Sequence, residues 1–481
     1  MTRVTKMLKC PKSRQKSFVL LILIVGQFLV IGGILKHFVF IDTFDTTRDM
    51  NKGRNDKSLY VPTSNTTQRA STSTVEDDCH YNQSAPSMQF KAVYSLSQQV
   101  TPHFLPNYKN PCWMDGPGEQ RLMCVPYVFL IGVPKCGTTD LYSRIVAHPM
   151  IVPPRLKEPN FLSRGVFWTN KCKQGAIYNI TASCVIHQFA ELYFQRASVD
   201  IRNNFKWSEE SDRATVNSSY DAMVLYFKDK FKDEWKVIKE NATRKIENPI
   251  IALDSSASYS WDNNYWELVA ENTGCTEPAY LTSDLLAKVN PKAKIMMLMR
   301  EPVSRAFSDY LYFQRRMNKE QSLDQFHNWT VNFITKFESC RRHNSLRYCT
   351  YVDVRFRTGV FDRARLELGL YHVHITEWFK RFPRDQFLFL RSETYSSDPV
   401  STLRRVYDFL GVAQLSQEAM DAITNTTRIN QTSRKKDLGN MWPETKTLLT
   451  KFYSEHIQKL SQLLGDDSFT WRDILDHNQS N

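Results

Sequence analysis

A chain of 481 residues with 42% hydrophobic content has the length and apolar fraction of a globular protein, which excludes a disordered one. The formal net charge is +13, and six of those charges (Arg3, Lys6, Lys9, Lys12, Arg14 and Lys16) sit in the first sixteen residues with no acid among them. The modest excess spread over the rest suits an acidic partner such as a polyanionic glycan, and no nucleic-acid partner is expected.

Directly after that basic tail, Ser17 to Leu35 runs nineteen residues without a charge. At 1.5 Å per residue that is roughly 28 Å, about the thickness of a bilayer core. The basic flank predicts a cytosolic tail over 1–16, a membrane span over 17–35 and everything beyond it lumenal. A cleaved signal peptide is the rival reading. It is opposed by the length of the apolar run and by Lys36-His-Phe-Val-Phe-Ile41 standing where a small-x-small cleavage site would be. Gly26, Gly32 and Gly33 would let two such helices approach, the basis for expecting a homodimer. Residues 36–105 are rich in Thr, Ser, Asn, Gln and Asp and read as a stem, with the catalytic domain over 106–481.

Nine Asn-x-Ser/Thr sequons, from Asn65 to Asn478, all follow the apolar run and agree with lumenal exposure. Of ten cysteines, Cys10 falls on the cytosolic side. Close spacing suggests pairs Cys340–Cys349, Cys172–Cys184 and Cys112–Cys124, and Cys136 is expected to be unpaired. No zinc-ligand spacing accompanies these cysteines, and no metal is expected.

The stretch Tyr127 to Ala147 organises the rest. Tyr127-Val-Phe-Leu-Ile131 is long enough for one buried strand, and Gly132-Val-Pro-Lys135-Cys136-Gly137-Thr138-Thr139-Asp140 turns into a helix with Leu141, Ile145 and Val146 on one face. Strand, glycine turn and helix start together make an anion site, because N–H groups at a helix N-terminus and its dipole favour negative charge. A Walker loop is the obvious candidate. Gly132 and Gly137 have its separation, but Thr138 occupies the position of the Walker lysine and the lysine is Lys135, inside the loop.

Further strands are expected over 148–154, 249–254, 294–300 and 386–391. After the second comes Lys157-Glu158-Pro159-Asn160-Phe161; a lysine–glutamate pair is normally a surface pair, but this one follows a strand at the edge where an open parallel sheet collects ligands. Glu158 could act as a base toward a hydroxyl. Residues 165–248 read as an insertion with helical stretches near 186–197 and 221–240. Asp254 and Ser255 leave the third strand at the same sheet edge. The fourth strand ends in Arg300, and Glu301-Pro302 starts a helix carrying Arg305 and Ser308. Arg300 offers a forked cation and Ser308 a hydroxyl, a pairing suited to a phosphate. Helices over 369–379 and 398–410 follow, then Ser433-Arg434-Lys435-Lys436, by itself a solvated basic loop. His372 and His374, two apart, point to different helix faces.

The order Lys135-x-Gly137-Thr138-Thr139 resembles the 5′-phosphosulfate loop of sulfotransferases that use 3′-phosphoadenosine 5′-phosphosulfate (PAPS), and Arg300-x-Pro302-x-x-Arg305-x-x-Ser308 resembles their 3′-phosphate segment. Lys157-Glu158-x-Asn160-Phe161 is similar to a segment of the glycosaminoglycan sulfotransferases, with Asn160 where those have histidine. The resemblance spans about 125–471. It implies an α/β fold, a mainly parallel sheet flanked by helices related to nucleotide kinases, and a Golgi type II membrane enzyme that sulfates a glycosaminoglycan. The stretches 133–142, 157–162, 300–310 and 440–453 look closest to the enzymes acting on carbon 6 of N-acetylgalactosamine 4-sulfate in chondroitin.

On that resemblance, Lys135 and Glu158 are the catalytic residues. Lys135, Cys136, Gly137, Thr138, Thr139, Asp140, Arg300, Ser308, Ser433, Arg434, Lys435 and Lys436 contact PAPS, and Lys157, Asp254 and Ser255 contact a sulfated glycosaminoglycan acceptor. Three other readings stand beside it. They are the same chemistry on heparan sulfate or another acceptor, a nucleoside-triphosphate kinase, and a non-catalytic Golgi glycan-binding protein.

Overall fold

The computed structural model describes residues 104–115, 121–152, 158–160, 162–163, 227, 230–263, 266, 272, 274–351, 364–427 and 438–475, all within one compact unit. The expected tail, span and nearly all of the stem lie outside the described residues, as do Lys157, the Cys172–Cys184 pair, the 186–197 helix and the basic segment Ser433 to Lys436. No helix among the described residues is long and apolar enough to cross a membrane.

The described part opens with an antiparallel hairpin, β1 (Cys112–Asp115) with β2 (Arg121–Cys124), in which Cys112 stands opposite Cys124 and is bonded to it. Five further strands make one parallel sheet: β3 (Val128–Gly132), β4 (Ile151–Val152), β5 (Ile251–Asp254), β6 (Lys294–Met299) and β7 (Phe387–Arg391), in the order β4-β5-β3-β6-β7. The helices are α1 (Thr138–Ile145), α2 (Lys232–Thr243), α3 (Thr282–Val289), α4 (Pro302–Arg316), α5 (Leu323–Arg341), α6 (Leu346–Tyr351), α7 (Tyr371–Phe379), α8 (Ser392–Ser397), α9 (Pro399–Leu410), α10 (Gln417–Thr424), α11 (Pro443–Leu464) and α12 (Arg472–Leu475).

Strands covered on both faces need unbroken apolar runs rather than alternation. All five residues of β3 are buried, as are the last five of β6, Ile295-Met-Met-Leu-Met299. The second expected strand is shorter than its apolar run. His148 N donates to Ile145 O and Ile151 N to His148 O, so the residues before Ile151 are committed to a turn and only Ile151 and Val152 pair with β5. Cys340–Cys349 and Cys112–Cys124 are both formed, and Cys136 is free and buried. Cys275 is also disulfide-bonded.

Two fully buried histidines lock this frame in its neutral form. His148 Nε2 meets Ala413 O at 2.8 Å while its Nδ1 accepts from Met150 N at 3.1 Å, leaving no room for a second ring proton. His374 Nε2 meets Glu367 O at 3.0 Å and its Nδ1 faces Tyr351 Oη at 3.2 Å. Burial, partly opposed by those carbonyls, lowers both pKa values to about 4. The unfolded chain therefore binds protons that the folded chain refuses, and stability is lost as pH falls from about 6.5 toward 4. Each of the two contributes about 1.4 kcal/mol per pH unit in that window. Urea midpoints measured from pH 7 to pH 4.5 should fall steeply; a flat profile would contradict neutral burial.

Candidate active site

The loop after β3 is built by its own backbone and by two neighbouring segments. The pairing of β3 with β6 shifts register between Leu130 and Gly132, and the carbonyl freed at Ile131 accepts from Ser260 N at 2.9 Å. Val133 N then donates to Leu298 O at 2.8 Å. Lys135 takes a left-handed backbone, φ 71°, and Gly137 another, φ 92°, at the cap of α1. The first is unusual for a side chain with a β-carbon, the second natural for glycine. No side chain caps α1, and Gly137 is exposed. The N-terminus of α1 and its dipole thus lie at the loop, the arrangement that favours an anion.

Cys136, expected to contact the donor, builds the loop instead: its N–H goes to Val133 O at 3.2 Å and its thiol is only 1% exposed. Burial pushes that thiol up to about 12, so it stays protonated. The Asp140 side chain is likewise committed, to Arg144 at 3.1 Å and to Tyr395 Oη. Arg144 in turn grips Ile423 O and Thr424 O, both at 2.7 Å, fastening α1 to the end of α10. Thr138 is buried and Thr139 half-buried at the helix start.

Arg300 leaves β6 beside this loop. Its carbonyl accepts from Tyr371 Oη at 2.8 Å, and the next N–H, of Glu301, donates to Glu393 at 2.9 Å. Glu301 caps α4 through Val303 N and Ser304 N, with Pro302 at the first helical position. The turn is pinned on both sides, while the Arg300 guanidinium and the Ser308 hydroxyl, both half-buried, make no side-chain hydrogen bond or ion pair among the described residues. The loop and the arginine segment leave neighbouring parallel strands, β3 and β6, which are joined up to Val133 N and Leu298 O.

Glu158 is exposed and follows β4. Asn160 holds its loop: Nδ2 donates to Glu158 O at 2.9 Å, N–H to Ser256 Oγ at 3.0 Å, and Oδ1 accepts from Ser258 Oγ at 2.6 Å. Asp254, expected to touch the acceptor, is fully buried, with its carboxylate accepting from Ser256 Oγ at 2.7 Å and Tyr259 Oη at 3.0 Å. Ser255 is 1% exposed, and its hydroxyl has no hydrogen-bond partner. Both residues, expected at an acceptor, are buried here, and Asp254 is linked through Ser256 and Tyr259 to the backbone of the Glu158 loop.

Several residues around the loop and α4 were not singled out from the sequence. Arg365 forks onto Asp309 and packs on the Phe313 ring at 4.3 Å and the Trp261 ring at 5.4 Å. Burial alone would raise the Asp309 carboxyl, but Arg365 and Arg305 hold it below the usual range. Tyr312 lies under the Lys135 ammonium, 3.6 Å from ring centre to Nζ. Ser392 Oγ stands 3.9 Å from where a β-carbon on Gly137 would be. Tyr312 falls one helical turn after Ser308 and was legible by spacing; Arg365 and Ser392 arrive from distant segments.

Comparison with known proteins matches the sulfotransferase domain model over residues 126–462. Carbohydrate sulfotransferase 15 of Homo sapiens is 31% identical over 356 residues, 73% of this chain and 55% of that protein, and its Mus musculus counterpart gives the same identity and coverage over 357 residues. The chain therefore spans about half the length of the curated relatives it matches. Heparan sulfate glucosamine 3-O-sulfotransferase 3B1 of Mus musculus is 28% identical over 145 residues, 29% of this chain and 31% of that protein. A solved sulfotransferase from Alicyclobacillus acidocaldarius aligns with 20% identity over 72% of this chain and 99% of that one, at a TM-score of 0.38.

The tightest packing point at the loop is Gly132, where a β-carbon would lie 2.3 Å from Ser260 Oγ and 2.9 Å from Ser260 Cβ. Gly132→Ala should destabilise the protein by about 1–3 kcal/mol, and Ser260→Gly in the same chain should recover part of that loss. Urea unfolding of the two variants and the pair tests it; unchanged stability for Gly132→Ala would contradict the contact.

Proposed function

The chain belongs to the sulfotransferase domain family, and we propose that it transfers a sulfuryl group from PAPS to a glycosaminoglycan hydroxyl, carbon 6 of N-acetylgalactosamine 4-sulfate in chondroitin or dermatan sulfate. One observation carries the reading. The chain runs from β3 out to β4 and β5 on one side, then crosses to β6 on the other, so the order reverses between β3 and β6. Open parallel sheets bind ligands at such a switch point, outside the strand C-termini. The uncapped start of α1 and the Arg300 turn both emerge there, giving two anion sites on adjacent strands.

The residues present fit a ligand with two separate phosphates. In this reading Lys135 with the N–H groups of Gly137, Thr138 and Thr139 takes one phosphate, and Arg300 with Ser308 takes the other. PAPS supplies the activated sulfuryl group and leaves carrying a 5′-phosphate. Lys135 and the loop donors stabilise the charge that collects on that leaving phosphate, an electrostatic effect that needs them fixed in advance. Arg300 and Ser308 select donors that carry a 3′-phosphate. Glu158 accepts the proton of the acceptor hydroxyl. The roles that the family resemblance gives Arg434 to Lys436 at the donor and Lys157 at the acceptor belong to residues outside those the structure describes. Positive charge comes from side chains and backbone, and no metal is assigned a role.

The chondroitin acceptor rests on the resemblance of the stretches 133–142, 157–162, 300–310 and 440–453, and on a match to carbohydrate sulfotransferase 15 that runs through 73% of the chain. Heparan sulfate is the second reading, supported by the shorter match to a heparan sulfate 3-O-sulfotransferase. The basic first sixteen residues, the uncharged nineteen after them and the sequons beyond support a single-pass Golgi protein with a lumenal catalytic part.

With PAPS and a panel of chondroitin 4-sulfate, desulfated chondroitin, dermatan sulfate and heparan sulfate, disaccharide analysis should place new sulfate on carbon 6 of the 4-sulfated residue. Lys135→Ala should lower turnover by about 10²–10³-fold, and Glu158→Gln should also reduce it strongly. Label on heparan sulfate alone would move the acceptor to the second reading; bound PAP with no transfer to any acceptor would leave a glycan-binding protein. In calorimetry, wild type should prefer PAP to AMP, which lacks the 3′-phosphate. Arg300→Ala should cut that preference by roughly 10–100-fold. An unchanged preference would remove Arg300 from the 3′-phosphate site.

A further inference from the structure

We propose that Tyr312 is a positioning residue for Lys135: its ring face holds the ammonium at the mouth of the loop and sets the direction in which the lysine delivers its charge. The inference rests on the sulfuryl-transfer reading. Lys135 Nζ lies 3.6 Å from the centre of the Tyr312 ring, well inside the roughly 6 Å at which a cation is drawn to an aromatic face. Both ends of the contact are constrained. Lys135 holds a left-handed backbone, φ 71°, which a side chain with a β-carbon seldom adopts and which fixes where the stem departs.

Tyr312 sits on α4, one turn after Ser308, with its ring edge-on to Phe313 at 5.3 Å and its hydroxyl accepting from Arg316 Nη1 at 3.3 Å. α4 is itself held at its start by the Glu301 cap. A lysine is a compact charge on a flexible stem of four carbons, and it acts well in a charge-stabilising site only if its geometry is set beforehand. Asp309, on the same helix, senses the Lys135 charge but is forked onto Arg365. A ring face draws an ammonium to it without the full negative charge a carboxylate would bring.

The ring face and the hydroxyl can be separated. Tyr312→Phe keeps the face and loses the Arg316 contact; Tyr312→Leu keeps bulk and loses the face. In full-length protein carrying ¹³C-dimethylated lysines, the Lys135 methyl signal, identified by its loss in Lys135→Arg, should be shifted upfield by the ring in wild type and Tyr312→Phe. It should return to the ordinary lysine position in Tyr312→Leu. With PAPS and a sulfated glycosaminoglycan, Tyr312→Leu should lose about two- to thirty-fold in kcat and weaken PAP binding in the same direction while the melting temperature stays near wild type, and Tyr312→Phe should restore most of both. An unshifted Lys135 signal in wild type overturns the proposal. So does a Tyr312→Leu kcat equal to wild type, or an equal loss in Phe and Leu. Absence of turnover in wild type sinks the sulfuryl-transfer reading first and the positioning role with it, a result distinct from unchanged turnover in the variant.

Discussion

Val128 of β3 sits opposite Lys294 of β6, and the contact between the strands continues until Val133 N donates to Leu298 O at 2.8 Å. Because the strands run the same way, both end at one edge of the sheet, and the segments that follow must emerge side by side. That constraint puts the uncapped start of α1 next to the Arg300 turn, although more than a hundred residues separate them in the chain. Each segment alone is an ordinary strand-to-helix turn. Their adjacency turns two weak anion sites into one place able to grip a ligand at two points.

Concentrating positive charge at one edge carries a cost that α4 absorbs. Arg305 is fully buried, with Nε and Nη1 lacking hydrogen-bond partners, and an isolated buried cation would be severely destabilising. Asp309 lies 3.8 Å from it, one turn further along α4, and Arg305 Nη2 donates to Arg365 O at 2.7 Å. Asp309 is shared with the guanidinium of Arg365, so one carboxylate serves two arginines. The cluster keeps net positive charge beneath the loop, and at low local dielectric that charge adds to the field an anion meets there.

Much of this was legible because β3 and β6 are buried on both faces, which forces unbroken apolar runs, and because Gly137 and Pro302 mark helix starts by backbone chemistry alone. The turn at His148 was hidden, since a side-chain bond to Ala413 decides it and the apolar residues around it read equally well as strand. The place of Cys136 within the loop was hidden for a related reason. A position inside an anion loop suggests a ligand contact, but the N–H is consumed by Val133 O and the thiol is buried. For Asp254 the burial was hidden: a carboxylate at a strand end reads as a site residue, and its 0% exposure turns it inward.

The inward-facing carboxylate has a use of its own. Asp254 can only accept, so the two hydroxyls against it, Ser256 Oγ and Tyr259 Oη, must both donate to it. Burial, reinforced by the Asp254 charge, raises the Tyr259 pKa well above its ordinary value, so that hydroxyl keeps its proton. With their protons directed at Asp254, each oxygen has lone pairs left for one backbone N–H of the segment that carries Glu158. Ser256 Oγ accepts from Asn160 N at 3.0 Å and Tyr259 Oη from Leu162 N at 3.2 Å. A single buried charge thus orients two hydroxyls, and the hydroxyls fix the backbone beside an exposed glutamate. Glu158 can stay at the surface, where a long polymer can reach it, while its position is set from within the fold.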